Sequence, residues 1–179
     1  MKISVITCCW NSEPYVVQCI ASVQAQQGVD IEQVFVDGGS TDGTLARIQA
    51  MPGVSDGRVR WVTDVRGGIS NAMNVGARLA TGDLIAHLHA DDYYLHPDTL
   101  ARARQAMVSA RARWAFGRIV SDIDGRLVPD AWAMPTYSRS RLLRGNFIGH
   151  PSVLIERTLF LESGGFDESL KYAMDYDLW

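Results

Sequence analysis

Short apolar runs of β character alternate with stretches of helical spacing over the first 110 residues or so, and this alternation limits the fold more than any other feature of the chain. The runs cover 3–7, 31–36, 59–63 and 84–88. Their length and lack of polar interruption suit strands buried on both faces. Between them, Val16, Ile20 and Val23 recur at helical spacing, with Asn11 or Ser12 available as a cap and Pro14 suited to the first turn. A short helix over 45–51 is broken by Pro52 and Gly53. A longer one over 69–80 places Ile69, Met73, Gly76 and Ala80 on its inner face, and Pro97 opens another that runs to about Arg111. Strand and helix in strict alternation imply βα units and a mostly parallel sheet, the α/β class.

After residue 111 the pattern changes. Residues 114–121 and 126–129 flank Asp122-Ile123-Asp124-Gly125, a hairpin signal. A short helix over 138–144, a strand over 152–155 and a helix over 157–163 follow. There is no internal repeat, linker or low-complexity tract, and 179 residues suffice for one domain with a substantial core.

Charge and composition exclude some partners. The net charge of −3 supplies no global field toward nucleic acid or an anionic membrane. Two local arginine groups, Arg102/Arg104/Arg111/Arg113 and Arg139/Arg141/Arg144, read as solvated helix faces, with a membrane-facing or acceptor-facing patch as the sharper alternative. Cys8, Cys9 and Cys19 lack zinc-site spacing and read as buried free thiols, consistent with a reducing cytoplasm. No apolar run is long enough to span a bilayer.

In an open parallel sheet, ligands bind beyond the carboxyl ends of the strands. Three polar clusters fall there: 7–13, 37–44 and 89–92. Adjacent carboxylates at Asp91 and Asp92 repel each other unless a cation sits between them, and hard oxygen donors suit Mg²⁺ or Mn²⁺. Asp37 can accept from a base N–H or a ribose hydroxyl, while Thr41 and Asp42 read equally well as caps. The segment 37–44 lacks both the GxGxxG spacing of dinucleotide folds and the lysine of a P-loop. Asn71, Asn74 and Arg78 share one face of the 69–80 helix, which reaches donor phosphate or sugar or simply faces solvent. Near the end, Asp175 and Asp177 sit among Tyr172, Tyr176 and Trp179, an apolar setting that raises the basicity of a carboxylate. His150 fits core packing, acceptor contact or metal ligation.

Taken in order, these segments resemble the family 2 inverting glycosyltransferases, nucleotide-diphospho-sugar transferases with the GT-A fold. The resemblance rests on Ser4-Val5-Ile6-Thr7 with Trp10-Asn11, on 36–44, on 68–76 followed by Ala80-Thr81-Gly82-Asp83, and on Gly164-Gly165-Phe166-Asp167-Glu168 with Asp175-Tyr176-Asp177-Leu178-Trp179. It implies a GT-A-like three-layer α/β/α sandwich and a single catalytic domain over 1–179, shortened at its C-terminal acceptor region. It implies that Thr7, Asn11, Glu13, Asp37, Gly39, Arg66, Asn71, Asn74 and Asp91 bind the nucleotide sugar, with Asp37 on the base. Asp91 and Asp92 would hold the metal, Mg²⁺ or Mn²⁺, and Asp175 would be the general base. The implied partners are a nucleoside diphosphate sugar and a glycan or lipid-linked glycan acceptor, with no nucleic acid. The implied setting is the cytoplasm, with peripheral association at the inner face of the membrane.

The chain departs from the pattern at three places. His89 stands where the metal motif often begins with Asp, Met174 where an acidic residue often precedes the base, and Asn71 where Asp is common. On the residues alone, a non-catalytic nucleotide-sugar binding module and a nucleotidyltransferase on a similar sheet stay open beside the transferase.

Overall fold

The computed structural model describes residues 1–129 and 136–179. In chain order the strands are β1 (Lys2–Cys9), β2 (Asp30–Asp37), β3 (Val59–Val62), β4 (Leu84–His87), β5 (Trp114–Ala115), β6 (Val120–Ile123), β7 (Arg126–Pro129) and β8 (Leu154–Glu156). The helices are α1 (Glu13–Gln24), α2 (Thr44–Gln49), α3 (Gly68–Leu79), α4 (Thr99–Ala110), α5 (Arg139–Leu142), α6 (Arg157–Glu162) and α7 (Met174–Leu178). β1 is buried from Ile3 onward and takes the middle of the sheet, as an apolar strand with no polar face must. The sheet order is β3-β2-β1-β4-β8-β5, with β1 to β4 mutually parallel and β8 antiparallel to both of its neighbours. The chain winds outward from β1 to β3 and then returns to the other side of β1 for β4. That reversal opens a crevice at the carboxyl ends of β1 and β4.

Side chains alternate across β1 and so divide between two helical layers. Ile6 and Cys8 pack under α3 with Met73, Ala77 and Phe160. Ile3 and Val5 pack on the opposite face with Cys19 of α1 and Met107 of α4. The expected mostly parallel α/β/α arrangement is what the molecule adopts. α3 lies close on the sheet because Gly76 has no side chain: a Cβ there would collide with Ile6 and come within 3.2 Å of Val36 Cγ2. Among the described residues, no helix is long and apolar enough to cross a membrane.

Several local expectations are corrected. Residues 114–121 do not form one hairpin strand. β5 joins the main sheet through β8, and β6 pairs with β7 in a separate ribbon, turning at Asp124 and Gly125, both with positive φ. Gly117 breaks the run by donating its N–H to Ser152 Oγ at 3.1 Å. α1 has no side-chain cap: Ser12 turns its hydroxyl back toward Trp10 and gives its N–H to Thr44 Oγ1 at 2.8 Å. On α3, Ile69 is exposed rather than inward, and Asn74 is buried rather than on a polar face. The helix α7, absent from the pattern reading, begins after Ala173, which has a left-handed backbone.

One buried ion cluster fastens the far end of the sheet. Glu32 is 2% exposed and accepts from Lys2 Nζ, Ser4 Oγ, Arg60 Nη2 and both the N–H and hydroxyl of Thr81. Burial pushes its carboxyl up, but the hydrogen bonds from Ser4, Thr81 and Lys2 outweigh that and bring it down to about 2.

Candidate functional site

A cavity of about 650 Å³ opens where the crevice was expected, beyond the ends of β1, β2 and β4. Its floor is Cys8, Cys9 and Val36. One wall is the β1–α1 loop, Trp10 to Ser12 with Tyr15; the opposite wall is the entry to α3, Val65 to Ile69; the third is His89 to Asp91. Trp10 and Tyr15 are 66% and 59% exposed, so two large aromatic faces stand open at the rim. The cysteine thiols are inert: burial drives the Cys8 pKa up to about 12, and burial with Asp37 nearby raises that of Cys9 further.

The α3 wall is built for an anion. Gly67 and Gly68 have φ of +102° and +88°, conformations that residues with a Cβ rarely adopt. No side chain caps the helix, so its first N–H groups and the positive end of its dipole are directed at the cavity. Arg66 lies on the same wall, its guanidinium paired with Asp64 at 2.6 Å.

The 37–44 loop is welded to the β1–α1 loop. Asn11 Oδ1 accepts from Thr41 N–H at 2.9 Å, and Asn11 N–H donates to Ser40 Oγ at 2.8 Å. Glu13 accepts from Gly43 N–H at 3.0 Å and pairs with Arg47 at 3.2 Å. Asp42 accepts from Thr44 N–H and Thr44 Oγ1 in an Asx turn that leads into α2, whose N-cap is Gly43 with no side-chain cap bond, so the expected capping role is not taken up. Asp37 is fully buried: its carboxylate accepts from the N–H groups of Gly39 and Ser40 at 2.9 and 3.0 Å, and from the Ser40 hydroxyl.

Asp91 is exposed on the cavity wall and Asp92 is half-buried behind it. Burial first, then repulsion from Asp91, pushes the Asp92 carboxyl up to about 6. Neither carboxylate has an ion-pair partner among the described residues. The pair therefore fits a divalent cation. No group of three His, Cys, Asp or Glu side chains among the described residues converges on one point. A cation there would take its remaining oxygens from a bound anion, the usual arrangement for Mg²⁺ on a diphosphate.

Behind this wall stand three imidazoles. His89 stacks on His150 with centroids 5.4 Å apart, and His150 stacks on His87 at 5.6 Å. Phe160 and Phe166 close the far side of His87. Burial, then the neighbouring His89, lowers His150 to about 4 against the opposing pull of Asp175, so the ring is neutral near pH 7. Asp175 accepts from Asn146 Nδ2 at 3.4 Å on α7. The aromatic setting expected for it is only partial, since Tyr172 is 75% exposed and Tyr176 gives its hydroxyl to Leu142 O.

Of the residues singled out in the sequence, Asn11, Arg66 and Asp91 line the cavity. Glu13, Asp37, Gly39, Asn71 and Asp92 lie directly behind the lining; Asn71 fixes the α3 entry by donating to Arg66 O at 2.5 Å. Thr7 and Asn74 are interior. Thr7 Oγ1 accepts from Gln33 Nε2 at 3.0 Å, and the Asn74 amide is spent on both backbone groups of Phe166. Asp175 is not on the cavity wall. Tyr15 was missed, and Trp10 and Gly68 were named only within the resemblance and given no role; the available signal was a solvent-facing aromatic directly after a buried strand.

The family model described as glycosyl transferase family 2 matches residues 4–153. The chondroitin synthase of Escherichia coli is 31% identical over 180 residues, covering 99% of this chain and 26% of that protein. The crystal structure of S. aureus TarS 1–349 in complex with UDP-GlcNAc superposes with a TM-score of 0.80 at 25% identity, over 99% of this chain and 52% of that one. A mannosyltransferase from Pyrobaculum calidifontis shares the fold, with a TM-score of 0.75 at 21% identity over 98% of this chain and 50% of that one. The chain thus spans about a quarter of the curated relative and half of the solved ones.

Proposed function

The chain belongs to glycosyl transferase family 2, and on that premise we propose that residues 1–179 form a catalytic domain that transfers a sugar, with inversion, from a nucleoside diphosphate donor to an acceptor hydroxyl. The observation that carries this reading is Asp91 on one wall of the cavity, with Asp92 directly behind it, facing the uncapped N-terminus of α3 on another. A diphosphate suits the space between them: the helix end and Arg66 favour its negative charge, and the carboxylates favour it only through a cation. Trp10 and Asn11 frame the end of the cavity that suits a base. Glu13, Asp37 and Gly39 hold the loops that shape it, and Thr7 and Asn74 brace the strands and α3 from within.

A divalent cation, Mg²⁺ or Mn²⁺, held by Asp91 and Asp92 would neutralise charge on the departing diphosphate. In the reaction, the acceptor oxygen forms a bond to the anomeric carbon as the bond to the diphosphate oxygen breaks, and the acceptor proton passes to Asp175. The relatives' names support polysaccharide or other cell-surface glycan assembly, and the TarS complex makes UDP-sugars the first donors to test. Glycan or lipid-linked glycan is the acceptor class. A cytoplasmic protein associated with the inner membrane face fits Leu143, 76% exposed, within the arginine run 139–144.

Donor turnover with and without Mn²⁺, in the chain and in Asp91→Ala and Asp175→Asn, tests the reading. Turnover that is unchanged in both variants rejects the site. Cation-linked donor binding without transfer to any acceptor leaves a binding module instead.

A further inference from the structure

The segment 139–146 is tied to α7 at two points. Tyr176 gives its hydroxyl to Leu142 O, and Asn146 Nδ2 donates to Asp175 Oδ2 at 3.4 Å. Leu142 is buried in the core on the α3 side of the sheet. Helical hydrogen bonds continue past it, from Leu143 N–H to Arg139 O and from Arg144 N–H to Arg141 O. At about 100° of turn per residue, Arg141, Leu143 and Arg144 project away from Leu142 toward solvent. Arg139, Arg141 and Arg144 are all exposed. None of them has an ion-pair partner among the described residues, and Asp175 and Asp177 on α7 leave them unpaired. In a chain of net charge −3, this run is a local reversal of sign. Arg141 adjoins Leu142, and Arg144 stands two residues before Asn146, so their Cα atoms lie within about 4 and 8 Å of the two tie points. None of the three arginines lines the cavity, so they stand apart from the space for the donor diphosphate.

We propose that Arg141 and Arg144, with Arg139 beside them, bind a phosphate carried by the acceptor itself. The domain then takes an acceptor sugar joined through phosphate or diphosphate to its carrier, rather than a neutral glycan end. The inference rests on the donor-site and Asp175 reading above and deepens it by naming the acceptor class. The acceptor hydroxyl must come to Asp175 to lose its proton. A sugar carries its anomeric oxygen on the same small ring, so a phosphate on that oxygen stays close to the base, within reach of long side chains on the segment bonded to it. Guanidinium groups meet phosphate oxygens in a bidentate fork, with charge-assisted bonds about twice as strong as neutral ones. A neutral acceptor gives three clustered cations nothing to bind. Leu143, 76% exposed between Arg141 and Arg144, offers an apolar contact to a lipid carrier on that phosphate.

The test is calorimetric titration of geranyl diphosphate, a soluble lipid diphosphate, into the chain with UDP and Mn²⁺ in excess to fill the donor site. Geraniol and vesicles of phosphatidylcholine with and without phosphatidylglycerol run beside it. Geranyl diphosphate is expected to bind and geraniol not. Its affinity is expected to fall about tenfold or more when Arg141→Ala and Arg144→Ala are combined, as loss of charge-assisted bonds does. Arg102→Ala, an equally exposed change on α4, should leave it unchanged. Asp175→Asn should raise it about twofold, because the anion no longer lies near a carboxylate. No binding of geranyl diphosphate, or binding that the double variant leaves intact, overturns the inference, while UDP affinity measured alone keeps the donor site standing. Unchanged affinity in Asp175→Asn also overturns it, since the anion then sits away from the base. Equal binding of geraniol assigns the contact to apolar surface, and attachment to the anionic vesicles alone returns the arginines to the membrane face; both count against the proposal. Failure of UDP to bind tells against the donor-site reading by itself, because the arginine dependence is read on geranyl diphosphate.

Discussion

His150 stacks on His89 of the cavity wall with ring centroids 5.4 Å apart, and the Asp175 carboxylate raises its pKa against the effect of burial. Asp175 is not among the residues that line the cavity. A residue placed this way affects the chemistry and leaves the nucleotide site alone. Asp175→Asn is expected to lower transfer about a hundredfold or more, as loss of a positioned base does, with nucleotide affinity unchanged by calorimetry. A variant that transfers at the wild-type rate removes Asp175 from the mechanism.

Gly76 permits the close approach of α3 to β1 and β2. Gly76→Ala would ordinarily stabilise a helix, but the added methyl meets Ile6 and Val36. Overpacking at this contact is expected to win, with a net loss of about 1–3 kcal/mol in urea unfolding. Because α3 also presents its N-terminus to the cavity, nucleotide affinity should fall along with stability. A variant as stable as the wild type would mean that α3 can lift off the sheet at little cost.

Strand ends were legible because the apolar runs of β1, β2 and β4 are buried on both faces, and nothing but a parallel sheet with helices on each side buries them so. Loop chemistry was legible as far as residue type. It did not show that Asp37 spends its carboxylate on Gly39 and Ser40, because that depends on a backbone bend of a few residues. Asn74 was misread for a different reason. A polar residue on a helix reads as solvent-facing by default, and the partner that buries it, Phe166, lies 92 residues away. The break between β5 and β6 likewise depends on Ser152, 35 residues beyond Gly117. Glu32 drew no attention, since one carboxylate in a strand resembles ordinary alternation until Lys2, Arg60 and Thr81 are seen to surround it.

Asp92 gives a pH signature. Its folded pKa of about 6 lies above the ordinary 3.8. Below about pH 4 the carboxyl is protonated in both states and costs nothing. As pH rises from 4 to 6 the unfolded chain ionises first, so the folded state loses stability, and above 6 the full cost remains. With allowance for partial solvent screening, Asp92→Asn is expected to gain about 1–2 kcal/mol over the wild type between pH 4 and 7. Thermal melts at pH 4 and pH 7 check this. Mn²⁺ with UDP should reverse the gap at pH 7, because the cation favours the ionised pair. Identical pH profiles for the two proteins would reject the strained pair.

Glu32 runs the other way. Its folded pKa of about 2 lies below the ordinary 4.5, held there by hydrogen bonds from Ser4, Thr81 and Lys2 against the cost of burial. Its contribution is therefore complete above about pH 4.5 and is lost as pH falls toward 2. Glu32→Gln keeps the shape but leaves Lys2 and Arg60 facing a neutral amide. Both cations are partly exposed, so the loss is expected to be about 2 kcal/mol, below that of a fully buried broken pair. Urea unfolding should show that gap at pH 7 and a narrower one at pH 3, while nucleotide binding at the opposite end of the sheet stays intact. A gap independent of pH would trace the loss to packing rather than charge, and no gap at pH 7 would remove Glu32 from the account of stability.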